Sequence, residues 1–136
     1  MDKKLFLVSE IDEFIRKCLS LQGILSLDVE ASSLNTRSSE FYLGGIGFSN
    51  KDTGYYLLVN SLEIQSKLSQ SDNDKLVEMF KTLESRTKLL VFNKAYEISV
   101  TDHMFDYSLN VLDVLILATG LGKRASLKEL SRQYLN

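Results

Sequence analysis

The stretch Ser26-Leu27-Asp28-Val29-Glu30-Ala31-Ser32-Ser33-Leu34 sets the tightest limit on what this chain can become. Ile24 to Val29 is mostly apolar and predicts a short buried strand, with Asp28 and Glu30 at its end. Residues two apart in a strand share a face, so these carboxylates stand roughly 6–7 Å apart along it. Such a pair repels and loses hydration. It requires a proton, hydrogen bonds or a cation. A hard divalent cation such as Mg²⁺ suits it, because that ion prefers oxygen ligands and keeps several waters. The plain alternative is a strand-end pair that points into water.

The 136 residues suffice for one domain with a real core, and we expect residues 1–136 to form a single domain. A net charge of −2 gives no global basic field, so nucleic-acid binding would need a local patch or metal ions. The single cysteine, Cys18, and the single histidine, His103, exclude an internal disulfide, a Cys-rich zinc site and a poly-His site. No apolar run is long enough to span a membrane, and charged residues interrupt the first ten positions too early for a secretory signal. A cytoplasmic protein is the expectation.

Lys4 to Val8 predicts an edge strand. Ser9 then caps a helix whose apolar face is Ile11, Phe14, Ile15, Cys18 and Leu19, stopped by Gly23. After the strand at Ile24–Val29 comes a polar loop over Glu30–Phe41. Strands at Tyr42–Ser49 and Tyr55–Val59 follow, joined as a hairpin by the turn Asn50–Gly54. Gly44, Gly45 and Gly47 suggest a bulge or a close backbone approach. Ser71 or Asp72 caps a helix to about Ser85 with Leu76, Val77, Met79, Phe80 and Leu83 inward. Lys88–Phe92 predicts a fourth strand, and a helix runs from Tyr96 to Met104. Leu112–Thr119 reads as a helix, with a short strand at Val111–Val114 as the alternative. Ser126-Leu-Lys-Glu129 is a capping box for a last helix.

These motifs, taken in order, resemble the DEDD (DnaQ-like) 3′–5′ exonucleases of the ribonuclease H-like superfamily. Leu27-Asp28-Val29-Glu30 with the Ser and Leu that follow looks like the first motif. Gly44-Gly-Ile-Gly-Phe-Ser49 and Tyr55-Tyr-Leu-Leu-Val59 resemble the second and third strands of the proofreading domain of family A DNA polymerases. Leu90-Val-Phe-Asn93-Lys-Ala-Tyr-Glu97 resembles the second motif. Val111-Leu-Asp113 and Ala125-Ser-Leu-Lys-Glu-Leu130 look like the helices that follow it. The resemblance implies an α/β fold: a mixed sheet with three antiparallel strands first, then parallel additions, with helices packed on it. It implies phosphodiester hydrolysis at the 3′ end of single-stranded DNA, with RNA not excluded. Mg²⁺ or Mn²⁺ would act as a two-metal site. Asp28, Glu30 and Glu97 would be the catalytic metal ligands. Ser32, Ser33, Leu34 and Asn93 would contact the nucleic acid.

Two departures accompany the resemblance. Glu97 stands where the family has Asp, one methylene shorter. The family's third motif, a Tyr or His with an Asp a few residues on, does not occur before Asn136, since Tyr134 is followed only by Leu135 and Asn136. The domain is therefore expected to be incomplete at its C-terminus. The missing ligand would come from a complementing chain or a polymerase partner. Alternatively the chain is an inactive exonuclease-like module that binds nucleic acid or a replication partner. Asp106 and Asp113 are available as substitute carboxylates. His103 reads as a helix-end residue. Tyr42, Phe48, Tyr55 and Tyr56 read as core or sheet-face residues, and Lys123 with Arg124 as a solvated or phosphate-contacting corner.

Overall fold

The computed structural model describes residues 2–32, 41–61, 63–92 and 94–114. In chain order these form β1 (Asp2–Leu7), a 3₁₀ turn (Val8–Glu10), α1 (Ile11–Leu19), β2 (Leu25–Ala31), β3 (Leu43–Ser49) and β4 (Thr53–Leu58). Then come α2 (Gln70–Arg86), β5 (Leu89–Val91), α3 (Lys94–Phe105) and β6 (Val111–Asp113). The expected helix at Ser126, and Lys123, Arg124 and Tyr134, lie outside the described residues.

The strands make one sheet in the order β1-β4-β3-β2-β5-β6. β2, β3 and β4 are antiparallel to their neighbours in the series, while β5 and β6 add in parallel beyond β2. This is the expected mixed α/β sheet. β1 lies parallel to β4 at the far edge. Asn50 ties the β3–β4 turn: its Oδ1 accepts from Asp52 N–H (2.9 Å) and Thr53 N–H (2.8 Å).

Strand alternation decides the two faces. Leu25, Leu27 and Val29 are buried, while Asp28 and Glu30 between and beyond them are exposed. Phe6, Ile46, Phe48 and Leu57 join the buried side, where the helices pack. Phe6 meets Phe14 of α1 at 5.8 Å between ring centroids. Phe80 of α2 meets Phe48 at 6.0 Å, Phe105 of α3 at 5.8 Å and Tyr107 at 6.1 Å. One ring therefore joins the sheet, two helices and the loop before β6. The opposite face carries a cross-strand row, Leu5, Tyr56, Gly47 and Asp28.

Local signals differ from expectation in four places. Ser9 does not cap α1. It sits inside the 3₁₀ turn, and Glu10 Oε1 accepts the Leu7 N–H at 3.0 Å. α1 ends at Leu19, and Gly23, at φ 83°, turns the chain into β2. The cap of α2 is Ser69, two residues earlier than expected. Its Oγ accepts from Asp72 N–H, and Asp72 Oδ2 accepts from Ser69 N–H, both at 3.0 Å. Val111–Asp113 is a strand rather than the start of a helix, because its backbone pairs with β5.

Phe80 has no exposed surface, so Phe80→Ala should cost about 3–5 kcal/mol in a urea unfolding experiment. A loss under about 1 kcal/mol would mean that the aromatic junction does not hold these elements together.

Candidate carboxylate site

β2 is seven residues long, but its pairing with β5 covers only Leu25 and Ser26. Past that point the β2 backbone needs another partner on this side. The first turns of α3 supply it: Glu97 Oε1 accepts the Val29 N–H in a long bond of 3.5 Å. Glu97 is 4% exposed, and its second oxygen, Oε2, is buried without a hydrogen-bond partner. A buried carboxylate oxygen in that state is costly unless it is protonated or meets a cation.

Asp28 and Glu30 do share a face, as the two-residue period requires. Both residues keep exposed surface. Even so, burial, then the neighbouring Glu30 carboxylate, push the Asp28 carboxyl above its usual range. Glu97 is pushed up to about 8, mainly by burial, then by the Asp28 charge. The Val29 N–H opposes the rise and the Glu30 charge adds to it. Among the described residues, no ion pair reaches any of these three carboxylates.

The donor set fits a hard divalent cation: carboxylate oxygens only, one of them buried and unpartnered, with Asp28 and Glu97 raised above the usual carboxylate range. It is not a closed cage. Among the described residues, no three Asp, Glu, His or Cys side chains stand close enough to hold an ion as they are. An ion would have to draw Glu97 and the Asp28–Glu30 pair together.

Other expected residues are placed as follows. Ser32 closes the end of β2 past a register shift between Glu30 and Ala31. Its N–H donates to Tyr42 O (3.0 Å), and its Oγ accepts from Tyr42 N–H (2.9 Å). With Glu30, Tyr42, Gly44, Tyr56 and Asn60 it lines a cavity of about 300 Å³. Ser33, Leu34 and Asn93 lie outside the described residues. His103 is in the last turn of α3, edge-on to Phe41 at 5.2 Å, as a helix-end residue. Asp113 Oδ2 accepts the Lys94 N–H at 2.9 Å.

Two tyrosines, expected only as a sheet-face residue (Tyr56) and a helix start (Tyr96), stand at the site. Tyr56 lies over Gly45 and Gly47. A Cβ on Gly45 would fall 2.1 Å from its hydroxyl, and one on Gly47 would fall 3.1 Å from its ring. The glycines thus leave room for a flat ring beside Asp28 and Glu30. Burial, then the Glu30 and Asp28 charges, raise its phenol to about 12. Tyr96 bonds the Ala31 backbone, and burial, then the charges of Glu97, Glu30 and Asp28, raise its phenol too. The signal for Tyr56 was present in the hairpin: Gly47 pairs with Tyr56 across it, and Gly45 is on the same face.

Comparison of the sequence with protein-family profiles and with curated proteins gave no match. Solved structures do match. NrnC of Brucella melitensis is 17% identical, with a TM-score of 0.64 over 99% of this chain and 61% of its own; NrnC structures also exist with bound Mg²⁺ and bound to pGG. The EXO domain of Aedes aegypti Nibbler is 16% identical, with a TM-score of 0.65 over 92% of this chain and 62% of its own. Trypanosoma brucei RNase D, in complex with RNA U12, is 15% identical, with a TM-score of 0.65 over 98% and 47%. The fold is that of the DnaQ-like exonucleases. The chain spans less than two thirds of each of these structures. The narrower likeness to polymerase proofreading domains rests on the sequence motifs alone.

The Glu97 proton gives a measurable pH dependence. An unfolded Glu97 loses its proton near the ordinary value of 4.5, and the folded one near 8. Between these pH values the folded state holds the extra proton, so the metal-free protein loses stability as pH rises, by up to about 1.4 kcal/mol per unit. Urea midpoints from pH 5 to 8 should fall for the parent and flatten in Glu97→Gln. An equal slope in both proteins would contradict the buried, proton-bearing Glu97.

Proposed function

We propose that the chain is a single exonuclease-type domain that hydrolyses phosphodiester bonds at the 3′ end of single-stranded nucleic acid, with Asp28, Glu30 and Glu97 as metal ligands. The observation that carries this reading is the buried, unpartnered Oε2 of Glu97 beside the Asp28–Glu30 pair. Divalent ions, when bound, supply charge stabilisation for the phosphoryl oxygens and a nucleophile from water near neutral pH. The chain's own part is to release the Glu97 proton, orient the carboxylates and bind the strand. Asp28 and Glu30 present their oxygens from a rigid sheet. Glu97 approaches from α3, held to β2 by the Val29 N–H. The Tyr56 ring offers a flat apolar surface for a base or sugar, the kind of contact that single strands use. Ser32, Ser33, Leu34 and Asn93 complete the strand contacts in this reading.

Two finer parts of the proposal have separate support. Mg²⁺ or Mn²⁺ is the ion class, and Mg²⁺ is bound in an NrnC structure. For the sugar, the polymerase-like motifs favour single-stranded DNA, while the RNA U12 of the RNase D structure favours RNA. A further carboxylate, supplied by a complementing chain or a polymerase partner, belongs to the proposal as well. The second reading is a module that binds nucleic acid or such a partner without cutting. It is favoured by the absence, among the described residues, of three ligating side chains already gathered.

The test uses the purified chain, 5′-labelled single-stranded RNA and DNA, and Mn²⁺ or Mg²⁺. Products shortened stepwise from the 3′ end are expected, with Asp28→Ala reduced to background. Mn²⁺ at a hundredfold above its dissociation constant should stabilise the parent by about 2.7 kcal/mol and Asp28→Ala not at all. Stabilisation and strand binding without cleavage would select the second reading. No Mn²⁺ response and no cleavage would overturn the metal site.

A further inference from the structure

We infer that Asp113 is a positioning residue for the carboxylate site: it holds the first turn of α3 and thereby sets where Glu97 stands. The inference rests on the metal-site reading above. The first N–H groups of a helix have no partner within it. At Lys94, the first residue of α3, that N–H is taken by Asp113 Oδ2 from β6, at 2.9 Å. The strand register brings this about. Asp113 pairs with Val91 at the end of β5, three residues before α3 begins. A carboxylate at a helix N-terminus also meets the positive end of the helix dipole.

Glu97 follows Lys94 by three residues, so the two lie on one side of α3, a turn apart. The C-terminal half of α3 is fixed by burial of Val100, Thr101 and Phe105. In its N-terminal turn Lys94 and Tyr96 are half-buried, while Glu97 is buried against β2. The hydrogen bond to Asp113 ties the first residue of this turn to β6, one turn before Glu97. The Glu97–Val29 bond is already 3.5 Å long, so a small shift of the turn breaks it. Asp113 thus acts through Glu97.

The experiment compares the parent, Asp113→Ala, Asp113→Asn and Ser69→Ala. Ser69→Ala removes the cap of α2 and controls for the loss of a helix cap alone. Two readouts are used: Mn²⁺ affinity by isothermal titration, and exchange of the Val29 amide hydrogen in the metal-free protein by NMR. Asp113→Ala should weaken Mn²⁺ binding about tenfold, as loss of a group that orients a ligand does. It should also speed Val29 exchange several-fold. Asp113→Asn, whose amide oxygen still accepts from Lys94, should restore both. Ser69→Ala should change neither. Should Asp113→Ala not fold, Asp113→Ser shortens the reach at the same position and takes its place. Parent-like Mn²⁺ affinity and Val29 exchange in the alanine or serine variant would overturn the role of Asp113, as would equal losses in Ser69→Ala. If the parent itself binds no Mn²⁺, the metal reading fails, and Val29 exchange alone then decides whether Asp113 positions Glu97.

Discussion

A strand longer than its neighbour creates the site. β2 continues past the end of β5, and the backbone it leaves bare is met by a side chain from α3. The chain uses a glutamate there, so satisfying the Val29 N–H also brings a third carboxylate near Asp28 and Glu30. Backbone N–H groups demand partners wherever they are buried. That demand fixes Glu97 in an apolar place where its second oxygen finds nothing. The raised proton affinities of Glu97 and Asp28 are the electrostatic record of the same crowding.

The sheet divides its work between its faces. The buried face carries the aromatic junction at Phe80 and gives β2 a rigid seat. The other face carries polar and flat groups: the carboxylate pair, the Gly45–Gly47 floor and the Tyr56 ring lying on it. Rigidity on one face and open chemistry on the other follow from the same two-residue period. A one-residue slip of β2 would bury the carboxylates and expose Leu25, Leu27 and Val29.

Much of this was legible in the sequence. Asp28 and Glu30 sharing a face needs only strand geometry. The sheet and its hairpin follow from apolar runs separated by Asn-rich and Gly-containing turns. Glu97 was singled out through its spacing from Asn93, by resemblance; its burial and its bond to Val29 were not legible, because they depend on where β5 stops. Helix starts were less legible, since several hydroxyl and acidic residues crowd each of them. Ser69, Ser71 and Asp72 all suit a cap, and only the reciprocal Ser69–Asp72 bonds distinguish them. Val111–Asp113 is too short and apolar for periodicity to separate strand from helix. The roles of Asp113 and Tyr56 are long-range, and each needs a neighbouring strand to be seen.

The most direct test of a divalent-cation site at these carboxylates is a crystal grown near pH 8 with Mn²⁺ and measured at the manganese absorption edge. The account predicts an anomalous peak within about 2.5 Å of oxygens from Asp28, Glu30 and Glu97, with Glu97 Oε2 facing the ion. A map without such a peak, with Oε2 still unpartnered, would contradict it.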